Sequence, residues 1–239
     1  NLGGYTQNQL IGIGDLFRNN SQIDWNAMYI ANQNSAFPGR SVYVLYEDRT
    51  DDNQLSANSI LNSSLSENIS LTAGANFRKL RSHNHQNLID LNNPNRQIGE
   101  NDSYGYNYLL HALTFDGFTQ FKFTYDKADF YLAQSFSRTE YQREGLYKNG
   151  IYTDNSFGKG ESITFENFGF KGGLTYKLNG RNYLDFNGLY QTKAPSLRNS
   201  FSNARMNNVI TPDLESESIT SADGSYILRA PKFKARLTG

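Results

Sequence analysis

The sequence predicts an all-β protein built on an antiparallel sheet, and three features support this fold class. Apolar and polar residues alternate along several segments, short turns recur along the chain, and every second connection is long and polar. Aromatic residues make up 14% of the 239 residues and cysteine is absent, which excludes a disordered polymer and a disulfide scaffold. The 23 basic and 23 acidic residues balance, so the net charge does not favour nucleic-acid binding.

The alternation is clearest in three segments. Ile69 to Phe77 carries apolar side chains at odd positions, and Phe121 to Tyr125 and Tyr183 to Asn187 repeat the pattern. Successive side chains of a strand point to opposite faces, so these segments predict strands with one apolar and one polar face. A three-to-four spacing at Gln22 to Asn32 predicts one short helix within a loop.

Short and long connections alternate along the chain. Turns are predicted at Ser66 to Asn68, Asp126 to Ala128, Leu178 to Arg181 and Arg229 to Lys232. The long polar stretches between them are Ser82 to Ser103, Glu144 to Gly160 and Pro195 to Leu214. Outer-membrane barrels have this arrangement, with turns at one end and loops at the other.

The length of the predicted strands fits such a barrel. Tyr104 to Asp126 and Glu161 to Lys177 are longer than the roughly 9–11 residues that cross a bilayer. We therefore expect both strands to project beyond the membrane and support the loops.

Periodicity alone leaves two architectures open. A soluble sandwich, propeller or lectin-like domain packs its apolar faces against other sheets, whereas a barrel exposes that face to lipid and keeps polar residues inside. Tyrosines near the predicted strand ends favour the barrel, because such residues form girdles at membrane interfaces. These are Tyr125, Tyr131, Tyr176, Tyr183, Tyr190 and Tyr226.

Residues with catalytic or metal-binding chemistry give weak signals. His83 and His85 are the sharpest pair, because residues two apart on a strand point the same way and reach one metal ion. Their spacing is not specific, so we predict that they lie in or near an exposed polar loop without an ion. His111 is expected at a lumen or interface position. The sequence has no Gly-x-Ser-x-Gly motif, and we predict no catalytic, cofactor-binding or metal-binding residue and no enzymatic activity.

Charged clusters are predicted to face water. The pairs Asp51-Asp52 and Glu215 with Glu217 lack the pattern of an EF-hand loop. We expect them to solvate a loop or line the lumen, and Glu215 and Glu217 would share one face if they lie on a strand. Lys232, Lys234 and Arg236 alternate with apolar residues and are expected together on the lumen side.

Several segments resemble those of a known family. The segment Asn167 to Leu184 is followed by Leu189 to Leu197, with the sequence LYQTKAPSL, and by Pro212 to Ser218. These segments resemble TonB-dependent outer-membrane receptors, in which the second is a "Y-x-T-R-A-P" motif. Lys193 stands where the family has Arg, and Ser221 to Ser225 replaces its usual "E-L-G".

Two further segments extend this resemblance. They are Val42 to Asp52 and Arg138 to Gly145, which look like parts of the large receptors with an N-terminal carboxypeptidase-regulatory-like domain. The resemblance covers Ser41 to Gly239.

The resemblance implies an antiparallel transmembrane β-barrel of about 22 strands, with long extracellular loops and short periplasmic turns. We expect residues 1–239 to form a section of roughly eight to ten strands, because the sequence begins without Met and stops inside an alternating segment. The plug domain and the remaining strands would then lie outside this chain.

The family's function implies a role in the outer membrane of a diderm bacterium. The protein would bind an extracellular small molecule, glycan or peptide through Tyr, Asn and Arg side chains of its three long loops and import it to the periplasm. Its expected partners are membrane lipid, the TonB energy-coupling complex and a surface lipoprotein, with no nucleic acid. No ligand-binding residue is assigned. Two alternatives are a non-transporting receptor or component of a surface complex, and a soluble β-rich glycan-binding module.

Overall fold

A computed structural model of the protein describes residues 22–34, 41–89 and 99–239. In these ranges the chain forms one α-helix, one 3₁₀ helix and eight β-strands. The α-helix is α1 (Trp25–Gln33), and the 3₁₀ helix is Leu197–Ser200. The strands are β1 (Leu45–Ser66), β2 (Ile69–Ile89), β3 (Ser103–Thr124), β4 (Ala128–Gly145), β5 (Gly158–Lys177), β6 (Asn182–Lys193), β7 (Glu217–Ala230) and β8 (Phe233–Thr238).

The eight strands form one sheet in sequence order, from β1 to β8. Neighbouring strands from β3 to β8 pair antiparallel. The connections at 67–68, 125–127, 178–181 and 231–232 are short, and those at 146–157 and 194–216 in the described residues are long. The prediction of an all-β antiparallel sheet with alternating connections is therefore confirmed. Barrel closure and a count of about 22 strands stay predictions.

One side of the sheet is apolar and exposed near the short turns. The strand register aligns Phe121 with Leu132, Phe170 with Tyr190, and Leu184 with Tyr226. Large side chains on this side are solvent-exposed, with Phe170 at 56% and Leu132 at 59%. We call this side the apolar face; its exposed members are Phe115, Phe121, Leu132, Phe168, Phe170, Leu174, Phe186, Tyr190 and Tyr226.

The other side, the polar face, carries the intervening residues of the same strands: Gln120, Lys122, Asp129, Lys171, Lys177, Asp185, Asn187, Asp223 and Arg236. Its side chains bond across neighbouring strands. Lys177 Nζ lies 2.7 Å from Asp129 Oδ1, and Arg236 Nη2 lies 3.1 Å from Asp185 Oδ2. Such cross-strand pairs stabilise a sheet and satisfy its polar groups without a second packed layer.

The basic residues of the last strand match the prediction in part. Arg236 lies on the polar face, opposite Ile227, and also bonds Ser225 Oγ. Lys234 shares that side, whereas Lys232 lies in the turn before β8. The shared face predicted for Glu215 and Glu217 is not formed, because β7 begins only at Glu217.

The girdle prediction is wrong for two tyrosines. Tyr131 and Tyr183 lie on the polar face, where Tyr131 Oη donates a 3.2 Å hydrogen bond to Asn187 and the Arg229 guanidinium stacks 4.8 Å from the Tyr183 ring. Tyr176, Tyr190 and Tyr226 are exposed on the other side. A strand end can be located from turn residues, but the face of each tyrosine depends on the register.

The predicted loops are too long at several ends. Strand β2 continues through Ile89 and β3 begins at Ser103, so much of the first polar stretch is strand. Similarly, Glu144 belongs to β4 and Gly160 to β5. These strand ends were predicted as loops because they bury few apolar side chains and are therefore polar in composition. Residues 90–98 of the first stretch lie outside the described residues.

The chain divides into two units, and the smaller comprises Asn1–Glu47 and Asn87–Asp102. In its described part, α1 begins after Asp24, whose side chain accepts a 3.0 Å hydrogen bond from the Ala27 amide. The Asn32 side chain bonds both backbone groups of Tyr43, at 2.8 and 3.0 Å. The short helix predicted at Gln22 to Asn32 is thus confirmed. No helix in the described ranges is both long and apolar enough to cross a membrane.

Candidate functional site

The candidate site lies in the larger unit, at the strand ends distant from the short turns, where the long connection 194–216 folds onto the sheet. This segment starts with Ser196, whose side chain caps the 3₁₀ helix by accepting a hydrogen bond from the Asn199 amide. Phe201 and Ile210 then form an antiparallel bridge, and Thr211 N donates a 3.0 Å bond to Ser200 O. The segment is therefore a compact, hydrogen-bonded loop.

A small hydrophobic cluster holds this loop against β3. Tyr106, Tyr108 and Leu110 alternate along β3 and pack with Phe201, and all four are buried. Leu197, Ala204 and Ile210 of the loop contact the cluster, together with Tyr141 of β4. The three β3 residues lie on the same side of their strand as Lys122, so the loop covers the polar-face side of the sheet.

Arg143 of β4 ties two long connections together. Its side chain is 1% exposed, and its guanidinium lies 5.0 Å from the Tyr108 ring. Nε donates a 2.6 Å bond to the Ala204 carbonyl, and Nη1 donates to the Ser156 carbonyl at 3.1 Å and to Asn208 Oδ1. Burial lowers the pKa of Arg143 to about 10, so the guanidinium stays charged at neutral pH. One cation thus links the 146–157 and 194–216 connections.

Close backbone approach completes this junction. A Cβ at Gly145 would overlap the carbonyl oxygen of Ser156, so only glycine fits there. Ser156 is fully buried, and its Oγ accepts a 2.9 Å bond from the Asn149 amide. Asn208 N donates a 2.8 Å bond to Asn155 O. The two connections therefore form one rigid support.

A cavity of about 730 Å³ opens between this support and the first two strands. Polar and aromatic side chains line it, among them Asp48, Asn84, Tyr106, Arg198, Asn203 and Arg205. The volume is in the range of small-molecule sites, and the mixture of rings, amides and charges suits a polar ligand.

A hydrogen-bonded cluster around Asp48 forms one wall of the cavity. Asp48 Oδ1 accepts bonds from Gln86 Nε2 at 2.6 Å and Tyr106 Oη at 2.9 Å. Arg205 Nη2 lies 3.7 Å from Asp48 Oδ2, and its guanidinium stacks 4.7 Å from the Tyr106 ring. Three side chains, from two strands and the 194–216 connection, thus hold the Asp48 carboxylate of β1 in a fixed position.

These contacts shift two pKa values in opposite directions. The hydrogen bond from Gln86, reinforced by that from Tyr106, holds the pKa of Asp48 below its usual range. Burial, together with the bond to Asp48, raises the pKa of Tyr106 to about 12. At neutral pH the carboxylate is therefore ionised and the phenol protonated, which matches their acceptor and donor roles.

The histidines singled out in the sequence lie elsewhere. His83 and His85 are in β2 and not in a loop, with their rings stacked 4.2 Å apart and His85 buried. His111 Nε2 lies 3.1 Å from Glu144 Oε2, on the side of β3 that carries Phe115 and not on the polar face. None of the three lines the cavity.

Sequence reasoning missed Asp48, Arg143 and Arg205 as individual residues, although it placed Tyr, Asn and Arg contacts in the long loops. Arg143 was included only in a segment resembling a family. A signal did exist for Arg143, because its position continues the alternation of Thr139 and Tyr141 on β4. A basic residue at such an inward position indicates either a water-filled interior or buried acceptors.

Comparison with known proteins supports the fold. One solved structure with a similar fold is described as "Copper transporter OprC", with a TM-score of 0.51 and 14% sequence identity. The match covers 78% of this chain and 29% of that one, so the chain spans less than a third of the transporter's length. No family model and no curated protein matches the sequence. At this identity the likeness concerns the fold alone: the eight-stranded sheet is built like a section of a known transporter chain.

Proposed function

We propose that this chain is a section of a TonB-dependent outer-membrane receptor that binds an extracellular ligand and imports it to the periplasm. The observation that carries the proposal is the apolar face, where large aromatic side chains stay exposed over neighbouring strands. A water-facing patch of this extent is unusual, because monomeric soluble proteins rarely expose large contiguous apolar surfaces. Lipid is the occupant that fits such a face on an antiparallel sheet.

The polar face supports a water-filled interior. Asp129, Lys177, Asp185 and Arg236 all lie on it, joined in two cross-strand ion pairs. Charged residues on the lipid side of a barrel cost about 2–4 kcal/mol near the midplane, whereas interior positions tolerate them. Near the short turns, charged and aromatic residues are separated as a barrel wall requires, and the Arg138–Glu166 ion pair on the apolar side lies farther from these turns.

The strand lengths support a position of the cavity outside the membrane. Strand β3 has 22 residues and β5 has 20, about twice the 9–11 residues needed to cross a bilayer. If the short-turn ends are periplasmic, Asp48, Tyr106 and Arg143 lie in the projecting parts. The cavity is then part of an extracellular mouth, the place where a receptor of this kind first binds its ligand.

The cavity favours a polar ligand. Arg198 and Arg205 provide cationic donors, and Asn84, Asn199 and Asn203 provide amides next to the Tyr106 and Tyr108 rings. Sugars, peptides and metal chelates all present groups that such side chains bind. Copper is the substrate named for the similar transporter chain, and it belongs in the same panel of candidate ligands.

Cell fractionation and uptake measurements test the proposal. The full-length protein should fractionate with the outer membrane and require detergent for extraction. Deleting its gene should abolish energy-dependent uptake of a compound from a panel of siderophores, cobalamin, oligosaccharides, peptides and Cu²⁺. Recovery from the soluble fraction would instead indicate a glycan-binding module, and outer-membrane protein without any uptake defect would indicate a non-transporting receptor.

A variant pair links uptake to the cavity. Asn203→Trp should fill part of the cavity and reduce uptake at least tenfold, because the bulky ring occupies ligand space. The control Lys232→Trp changes an exposed residue of a short turn and should leave uptake unchanged. Equal uptake by both variants would show that the ligand binds elsewhere.

A further inference from the structure

We propose that Asp51, His83 and His85 form a binding site for a divalent transition-metal ion between β1 and β2. One ring nitrogen of each histidine and one carboxylate oxygen of Asp51 lie within 4.8 Å of one another. The site is separate from the cavity, and it does not depend on the proposed transport function.

The strands bring these three residues together. His83 and His85 occupy alternate positions of β2, so both rings lie on one side of the strand and stack at 4.2 Å with 20° between their planes. Asp51 belongs to the neighbouring strand β1, and its Oδ2 lies 3.9 Å from His85 Nε2. The sequence motif supplies two ligands, and the hairpin fold adds a third that the spacing did not show.

The donor atoms are close enough to meet at one ion after one ring turns. Zinc binds histidine nitrogen and carboxylate oxygen at about 2.0–2.2 Å, and donors within 4.8 Å of one another need shifts of less than about 1 Å to reach these distances. Because an imidazole nitrogen binds a metal in the plane of its ring, the stacked rings must also lose their parallel arrangement. His85 is buried, whereas His83 is half-buried and Asp51 is exposed, so we expect His83 and Asp51 to move when the ion binds.

A neighbouring side chain sets the protonation of one ligand. His83 Nε2 lies 2.7 Å from Asn107 Oδ1, an atom that only accepts hydrogen bonds. Nε2 therefore carries the proton, and Nδ1 of the neutral ring keeps the lone pair that binds a metal. Asn107 Nδ2 in turn donates a 3.1 Å bond to Ser103 Oγ, which fixes the orientation of the amide. Metal-ligating histidines commonly have such a second partner.

The second oxygen of Asp51 has its own partner. Arg49 Nη2 lies 3.9 Å from Asp51 Oδ1, so the carboxylate divides its two oxygens between a cation and the histidine pair. This arrangement leaves Oδ2 directed towards His85. The contact between Arg49 and Asp51 links exposed groups and competes weakly with a metal ion.

The ligand types define the class of ion. Two imidazoles and one carboxylate suit Zn²⁺, Cu²⁺ or Ni²⁺, and they disfavour Ca²⁺ and Mg²⁺, which prefer oxygen ligands. Three protein ligands leave one coordination position for water or an external group. A bound ion would also join β1 to β2 at the ends distant from their short turn.

Zinc titration of the full-length protein in detergent tests the site. Calorimetry with Zn²⁺ after chelator treatment should show one more equivalent bound by the wild type than by His83→Gln or His85→Gln. Asp51→Asn should weaken this equivalent at least tenfold, because it removes an anionic ligand. The matched controls are His111→Gln, which changes the remaining histidine of these 239 residues, and Asp52→Asn, which changes the adjacent carboxylate.

The outcomes separate binding from folding. Each variant must keep the circular-dichroism spectrum and thermal unfolding profile of the wild type, and His83→Gln and Asp51→Asn change residues that are not fully buried. Co²⁺ bound to the wild type should give visible absorption bands that the His83→Gln variant lacks and the His111→Gln variant keeps. Unchanged stoichiometry and affinity in His83→Gln and Asp51→Asn would overturn the proposal, as would wild-type protein without the additional equivalent.

Discussion

The two ends of the sheet are stabilised in different ways. Near the short turns, the strands show one exposed aromatic face and one polar face, and their contacts are cross-strand pairs such as Lys177 with Asp129. At the far ends, buried residues such as Leu110 and Phe201 make a small core, and Arg143 joins two long connections. The short-turn end therefore exposes its side chains to the surroundings, whereas the far end packs its side chains against the long connections.

Mutations at the two ends should therefore have different effects, which are global on the apolar face near the short turns and local at the long connections. A charge on the aromatic face should disturb insertion of the whole sheet into lipid, since that face has no protein partner in the described residues. A change at the loop end should release the long connections while the strands persist, because the cluster there is held by few residues.

The largest effect is expected for Arg143→Met. The variant removes charged hydrogen bonds to the Ala204 and Ser156 carbonyls and to Asn208, and should cost about 3–5 kcal/mol in opening free energy. Hydrogen exchange at the Asn208 and Thr211 amides measures this loss. The control Arg138→Met breaks only an exposed ion pair with Glu166 and should cost less than about 1 kcal/mol. Similar effects in both variants would contradict the assigned role of Arg143.

The next effect concerns the aromatic face. Phe170→Lys places a charge where the side chain is 56% exposed, and should cost about 2–4 kcal/mol on insertion into lipid. Gln191→Lys introduces the same charge on the adjacent position of β6, on the polar face, and should cost little. Folding yield into vesicles, measured by heat-modifiable mobility, compares the two. Equal yields would contradict a lipid-facing aromatic surface.

A smaller effect is expected for Gly105→Ala at the loop end. Gly105 has a φ of +71°, and a Cβ there would overlap Gln86 Oε1. The strain should cost about 1–3 kcal/mol and displace Gln86 from Asp48. Gly150→Ala is the control, because nothing lies within 4 Å of its added carbon. Protease resistance of the 194–216 connection should fall in the first variant only.

The smallest effect is a local pH dependence in the cavity wall. The pKa of Tyr106 is raised from 10.0 to about 12, so its contribution to stability is complete below pH 10 and is lost as the pH rises towards 12. The pKa of Asp48 is lowered, so its contribution is complete above pH 3.8 and is lost as the pH falls through the folded value.

Phenolate absorbance checks the tyrosine value. The difference between the wild type and Tyr106→Phe should contain a group that titrates near pH 12 in the folded protein and near pH 10 after denaturation. A folded-state difference already titrating at pH 10 would show that Tyr106 is neither buried nor bonded to Asp48.

Near the short turns, the positions of strands and turns could be predicted from the sequence, but the faces of individual tyrosines could not. Alternation at Phe121 to Tyr125 and turn residues at Leu178 to Arg181 located strands and turns, because both signals are local. The side of the sheet predicted for Tyr131 and Tyr183 was wrong, because the side depends on the register with the neighbouring strands. The end of β2 at Ile89 was also missed, since polar strands beyond a bilayer resemble loops in composition.

The candidate site could be predicted only in outline. Tyr, Asn and Arg side chains were expected in the long connections, and Arg198, Asn203 and Arg205 do line the cavity. The partners of Asp48 and Arg143 were not predictable, because each brings together residues distant in sequence. Asp51 and the histidine pair illustrate the same limit, since the hairpin alone makes them neighbours.

Spin-label accessibility along β5 tests the central claim most directly. These 239 residues contain no cysteine, so single substitutions from Phe168 to Tyr176 give defined labelling sites in this section. In vesicles, the account predicts that labels at even positions contact lipid-soluble oxygen, whereas labels at odd positions contact a water-soluble nickel complex. Labels at even positions shielded from both reagents would place a second sheet on the aromatic face, and the membrane-barrel account would be wrong.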